Sequence, residues 1–317
     1  DKYKNYGLST SLNHKINENY EVNFQYLLTQ AKNKYDNSYA YYYPSIDFRN
    51  TSRNEAYSLA LNAQINSTWK SSIKISRGID EYVDKQLYDW NLYTYIAQNN
   101  LYKTTQDQFT WQNNIQLSKG TLTLLYDRLE QKIKTTEYYQ KNKRVNDGFM
   151  IGYSVIENKH NFQTNIRKDF NSNYDDSLTG NIGYAYMINQ NLTFATSAGT
   201  AFVSPTFNFA YATADPDALG NPDLKPEKSK NIEASIRYKD DARALSFTAF
   251  NNEIRDFIIY TYGMTPQSTA NLSKAKIQGF SVMGSQFIGH FQISGSVTNQ
   301  SPKNEDTEKY LPYRSAL

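Results

Sequence analysis

The 317-residue chain has no cysteine, so disulfides and thiolate metal sites are excluded, while its compartment stays open on that ground. It has no apolar run approaching the length of a spanning helix, and apolar residues make up only 39%, too few for a helical membrane protein. It has no charge excess. Against 31 acidic residues stand 34 basic ones, and a net +3 is no polyelectrolyte signature, so nucleic acid is not an expected partner. Histidine is scarce: His14, His160 and His290 each adjoin a predicted short turn and lie far apart in strand order, which suits solvated rim residues better than a shared metal. Paired glycine-rich phosphate loops, HExxH and GxSxG are missing. Ser204 precedes Pro205 without a base partner, and Asp175-Asp176 and Asp240-Asp241 fall in predicted turns, where aspartate bonds the local backbone. No enzyme is expected. No signal peptide precedes "DKYKNYGLST", which is already strand-like, and a start inside a pattern suggests a fragment.

Aromatic residues are plentiful, at 15%, with 28 tyrosines and 16 phenylalanines. A disordered chain would be poor in them. The dominant period is two. Tyr20, Val22, Phe24, Tyr26 and Leu28 alternate with Glu21, Asn23 and Gln25, and Ile182, Tyr184 and Tyr186 do so beside Asn181. The pattern predicts fourteen strands: 3–14, 20–31, 53–66, 68–79, 105–119, 121–134, 147–157, 160–170, 177–189, 192–201, 229–239, 243–257, 272–286 and 289–300.

Most of these run well beyond the roughly five or six residues of a soluble strand, and tilted membrane strands need about 9–11. Connections alternate. Short ones fall near 15–19, 67, 120, 158–159, 190–191, 240–242 and 287–288, and longer ones span 32–52, 80–104, 135–146, 171–176, 202–228 and 258–271. A meander places alternate connections at one end, giving a short-turn rim and a long-loop rim, as in outer-membrane barrels. All eight prolines lie outside the predicted strands, as a ladder closed on both sides requires. The expected fold is all-β, an antiparallel transmembrane barrel of about fourteen strands, with residues 1–317 forming part of one barrel domain. In lipid such a sheet must close, with an apolar outer face and a polar inner one. A soluble sandwich alternates too, with shorter strands and apolar faces turned inward.

Tyrosines cluster at strand ends and in long loops, where a headgroup girdle and a ligand surface are the two readings. Tyr42 and Tyr82, deep in predicted loops, are ligand candidates. Asp36, with Asn33, Asn37 and Ser38 nearby, offers oxygens to calcium, and a solvated polar loop is the plainer alternative.

The stretch "GTAFVSP…LGNPDLKPEKS" resembles a signature of TonB-dependent outer-membrane receptors. Gly199, Thr200, Phe202 and Pro205 match its first part, and Asn221, Pro222, Leu224, Pro226, Glu227 and Ser229 its second. "NLSKAKIQGFSV" looks like a later segment of the family through Asn271, Lys274, Ala275, Ile277 and Gly279, with Ser281 where glutamate is usual. The resemblance implies a 22-stranded plugged barrel that imports scarce bulky ligands with energy from the TonB complex. Plug, TonB box and terminal aromatic strand are not found, so the chain reads as an internal barrel fragment without its plug domain. Within the family, "KYDNSYAYYYPS" looks most like the cobalamin receptors, in which calcium orders extracellular loops. Tyr35 and Asp36 match their Tyr-Asp pair approximately, which adds Tyr35 to the ligand candidates and Asp36 as a calcium ligand. The implied partners are cobalamin or a ferric siderophore, the TonB complex through the plug, and outer-membrane lipid. A complete fourteen-stranded passive channel and a soluble binding module are the other classes. For the proline motif itself, loop scaffolding is favoured over ligand contact, because Pro222 and Pro226 restrict the chain before a long return strand.

Overall fold

A computed structural model describes residues 3–35, 42, 48–89, 92–212, 218–260 and 267–311. Among them fourteen long strands follow in order: β1 (Tyr3–Lys15), β2 (Tyr20–Lys34), β3 (Arg49–Gln64), β4 (Trp69–Asp84), β5 (Asn100–Gln116), β6 (Thr121–Thr135), β7 (Lys143–Glu157), β8 (His160–Asn171), β9 (Ser177–Met187), β10 (Leu192–Val203), β11 (Glu227–Lys239), β12 (Arg243–Tyr260), β13 (Gln267–Ile288) and β14 (Phe291–Asn304). Each pairs antiparallel with its sequence neighbour, giving one meander from β1 to β14. The all-β antiparallel expectation holds for the whole sheet.

The strands are longer than the sequence pattern predicts, mainly toward the long-loop rim. β4 ends at Asp84 rather than 79, and β5 begins at Asn100 rather than 105. Past the apolar positions nothing forces strict alternation, yet the backbone ladder continues. Tyr82 therefore lies in β4, opposite Tyr102 of β5, and not in a loop. The remaining loop holds a small ribbon, Leu87–Asp89 with Thr94–Ile96. One proline also departs from expectation: Pro302 sits buried within β14. Among the described residues β14 pairs only with β13, and an edge strand tolerates a residue that donates no ladder bond. Pro44, Pro216, Pro266, Pro312, Tyr41, Tyr43 and Trp90 lie outside the described residues.

The short turns share one device. Asn17, Asn66, Asn189 and Asp240 each accept, through a side-chain oxygen, backbone N–H groups two and three residues ahead. This Asx geometry replaces ladder bonds the turn cannot make. Gly120 turns with φ +76°, and a Cβ there would lie 2.4 Å from the Ser154 carbonyl oxygen. His160 stands at the short-turn rim, its Nδ1 2.7 Å from the Tyr184 hydroxyl.

Register sorts the side chains onto two faces. Leu12, Phe24, Leu59, Ile75 and Phe109 form one cross-strand row, and Leu61, Ile73, Trp111, Tyr126 and Phe149 another. The row continues as Phe194, Ile236, Phe247, Val282 and Val297 on the later strands. Most of these side chains are substantially exposed, Ile75 at 53% and Phe149 at 51%. The opposite face carries Ser58, Ser76, Gln108, Asn114, Thr123 and Asp127. An unpartnered apolar face this large is far beyond what a soluble monomer shows.

Candidate functional site

The long-loop rim gathers its polar and aromatic groups into two assemblies, joined by a braced wall on the polar face. The first lies between β2 and β5. Phe48, 4% exposed, meets Tyr35 and Tyr95 edge-on, with ring centroids 6.2 and 6.0 Å away. The Tyr35 hydroxyl donates to the Asp84 carboxylate, 3.1 and 3.0 Å from its two oxygens, and accepts from the Gln86 amide. The Tyr82 hydroxyl donates to the same carboxylate at 3.4 Å, and the Lys85 N–H at 3.0 Å. Burial, reinforced by Asp84, pushes the Tyr35 phenol up to about 12, so it is a neutral donor near neutral pH. Two of the sequence-selected tyrosines thus converge on one carboxylate that the sequence reading missed. Asp84 was inconspicuous because it ends a strand whose length was underestimated. Tyr42 is 72% exposed. Asp36 lies outside the described residues. Among the described residues no three His, Asp or Glu side chains converge as a metal set.

The second assembly closes over the polar face of β6 and β7. After β10 the chain turns into a short helix, α1 (Phe207–Tyr211), capped by the Thr206 hydroxyl, which accepts from the Phe209 N–H. Phe207, Ala210 and Tyr211 pack on Ile133 and Tyr139. The Tyr139 hydroxyl donates to Asn208 Oδ1 at 2.9 Å. Arg144 donates to the Pro205 carbonyl at 2.7 Å and to Gln131 Oε1 at 2.6 Å, with its guanidinium 4.8 Å from the Phe207 ring centroid. Tyr174 and Ser204 bond through their hydroxyls, and burial raises the Tyr174 phenol.

The residues of the proline motif hold this cover to the later strands. The Asn221 N–H donates to the Phe209 carbonyl, and its amide to the Thr269 carbonyl. Asn271 grips Lys225 on both sides, accepting its N–H at 3.0 Å and donating to its carbonyl at 3.0 Å; the same amide reaches the Asp256 carbonyl at 2.6 Å. Asp256, at φ +56°, stands at a break in the β12–β13 ladder. Pro205, Leu224 and Pro226 are buried, whereas Pro222 is exposed. Glu227, anticipated as a charge partner, accepts the Ile258 N–H at 2.7 Å. A Cβ at Gly279 would lie 2.1 Å from the Asn299 carbonyl oxygen, and one at Gly199 3.1 Å from Asn181 Cβ. Lys274 is exposed.

The wall between them is braced by Arg167. Its guanidinium donates to Asp127 at 2.7 Å and to Asp169 at 2.7 Å, and Asn146 donates to Asp169 at 2.7 Å. Asp169 is 2% exposed, so its charge is held by these donors.

A fourteen-strand antiparallel meander with short turns at one end, loops at the other and a bare apolar face is the wall of a membrane-type barrel. The chain belongs to the "TonB dependent receptor-like, beta-barrel" family, whose model matches residues 1–316. It is 24% identical over 326 residues to the vitamin B12 transporter BtuB of Photobacterium profundum, covering 99% of this chain and 50% of that protein. The BtuB of Vibrio vulnificus (strain YJ016) is likewise 24% identical over 321 residues, covering 99% and 50%. The chain spans about half the length of the curated relatives it matches. Among solved structures, the siderophore receptor PirA from Acinetobacter baumannii superposes with TM-score 0.81 at 18% identity, over 98% of this chain and 54% of that one. At that identity the likeness establishes the fold.

Proposed function

We propose that this chain forms wall and extracellular rim of an outer-membrane, TonB-dependent transport receptor, and that its ligand is cobalamin. One observation carries the membrane reading. The chain's own cover, α1 and the proline motif, lies on the polar face, while the apolar face is bare along all fourteen strands. A sheet covered on its polar side and bare on its oily side suits lipid outside and an enclosed, hydrated interior. Cobalamin is supported by the full-length matches of this chain to two vitamin B12 transporters. The energy-coupling plug and the remaining strands would belong to the rest of the receptor.

In this reading the receptor binds and moves its cargo without covalent chemistry. Tyr35 and Tyr82, fixed on Asp84, stiffen the base of the first long loop, and exposed Tyr42 reaches the ligand. Gly199, Pro205, Asn221, Pro222, Leu224, Pro226, Glu227, Lys274 and Gly279 serve as scaffold. Asp36 is proposed as a calcium ligand in that loop. The test is titration of the full-length receptor with cyanocobalamin, with and without calcium, beside a ferric siderophore. Saturable corrinoid binding that Tyr42→Ala weakens about tenfold supports the reading. No tight corrinoid binding in either condition overturns it, and siderophore binding would reassign the ligand. Asp36→Ala should abolish any calcium dependence, and unchanged dependence rejects that ligand.

A further inference from the structure

Charges on the apolar face are not distributed evenly. Just beyond the oily rows, toward the long loops, β3 to β8 carry cations that are matched. Arg77 faces Asp107 across β4 and β5, Lys103 bonds Glu81 at 2.8 Å, Arg128 bonds Asp147 at 2.9 Å, and Lys132 and Lys143 share Glu130. On β11 to β13 the same belt is unmatched. Lys228, Arg255 and Lys274 are direct cross-strand partners in one row, and Lys230, Glu253 and Lys276 occupy the next. Five cations face one carboxylate, and none of the five forms an ion pair among the described residues. Like charges directly opposite one another repel, so the row is unfavourable unless an anion from outside the chain joins it.

The surroundings narrow the anion. A depression of about 210 Å³ is lined by Lys228, Lys230 and Arg255 on one side and by Leu178 and Phe202 on the other. Leu178 is 63% exposed. Basic groups beside oily ones, at the upper border of a lipid-facing band, match an amphiphile whose phosphate sits just above its acyl chains. We propose that this belt binds the phosphorylated headgroup of a lipid in the leaflet next to the long loops, with Lys228, Lys230 and Arg255 as its phosphate ligands. The inference rests on the outer-membrane reading for its orientation.

The test uses the full-length receptor, first inserted into vesicles free of phosphate lipids other than phosphatidylcholine, then exchanged against bisphosphorylated lipid A or its dephosphorylated form, with retained lipid counted by native mass spectrometry. Wild type should prefer the bisphosphorylated form. Lys228→Gln, Lys230→Gln and Arg255→Gln should each weaken that preference about fivefold. An Arg77→Gln, Asp107→Asn control in the matched segment should leave it unchanged. The comparison of the two lipids on wild type needs no variant to fold. Equal retention of both lipids, or a preference unchanged in the three variants, overturns the proposal. Failure to insert into the first vesicles overturns the membrane reading instead.

Discussion

Arg167 reaches Asp127 only because Gly148 lies between them. Gly148 is the cross-strand partner of both Asp127 and Asp169, and a Cβ on it would stand 1.9 Å from Arg167 Nη2. The missing side chain is thus the channel through which one guanidinium ties three strands together on the polar face.

Gly148→Ala should therefore act as a charge mutation. Displacing Arg167 strands Asp169, and breaking such a buried pair costs about 3–5 kcal/mol, with Asn146 holding the loss to the lower end. Urea unfolding of the vesicle-inserted receptor measures it. Combined with Arg167→Gln, the second loss should be largely absent. Additive losses would show that the glycine matters for some other reason.

Asn271→Ala should loosen the cover over the polar face. It removes three hydrogen bonds at once, leaving the Lys225 N–H and two carbonyls unpaired, a cost of about 1–3 kcal/mol. Limited proteolysis should then cut within 204–226 at least about fivefold faster, since opening governs cleavage. An unchanged cleavage rate would mean the motif does not fasten this loop.

The Tyr35 phenol should ionise near pH 12 and not near its ordinary 10.0. The raised folded value means the neutral form is favoured. Its contribution to the Tyr35–Asp84 assembly is complete below pH 10 and fades as pH climbs through 12. Ultraviolet titration of wild type against Tyr35→Phe isolates this one phenol. Asp84→Asn should bring it down. A Tyr35 transition near pH 10 would remove the assembly from the account.

Much of this was legible in the residues. Phe24, Leu59 and Ile75 announce their face by simple alternation, and Asn17, Asn66 and Asn189 announce their turns. What register alone decides was not legible. Gly148 and Arg167 are nineteen positions apart, and only the β7–β8 pairing brings Asp169 beside the glycine. Asp84 and Tyr82 were misplaced for a related reason: beyond the oily rows the ladder persists while the alternation that reveals it does not. Pro302 was placed outside a strand because a proline inside one is tolerated only at an edge, and edges are a property of the sheet.

Phe149→Arg should impair folding into lipid by about 2–4 kcal/mol if its position lies at mid-bilayer, whereas Gln108→Arg on the opposite face should be nearly neutral. Equal penalties would mean the two faces see the same medium.

The most direct measurement exploits the absence of native cysteine. Single cysteines at Ser72, Ile73, Ile75 and Ser76 of β4, spin-labelled in the vesicle-inserted full-length receptor, report whether each position meets oxygen dissolved in lipid or a water-soluble relaxant. Ile73 and Ile75 should favour oxygen and Ser72 and Ser76 the aqueous reagent. The reverse pattern, or no alternation along the strand, would contradict a wall with oil on one side and water on the other.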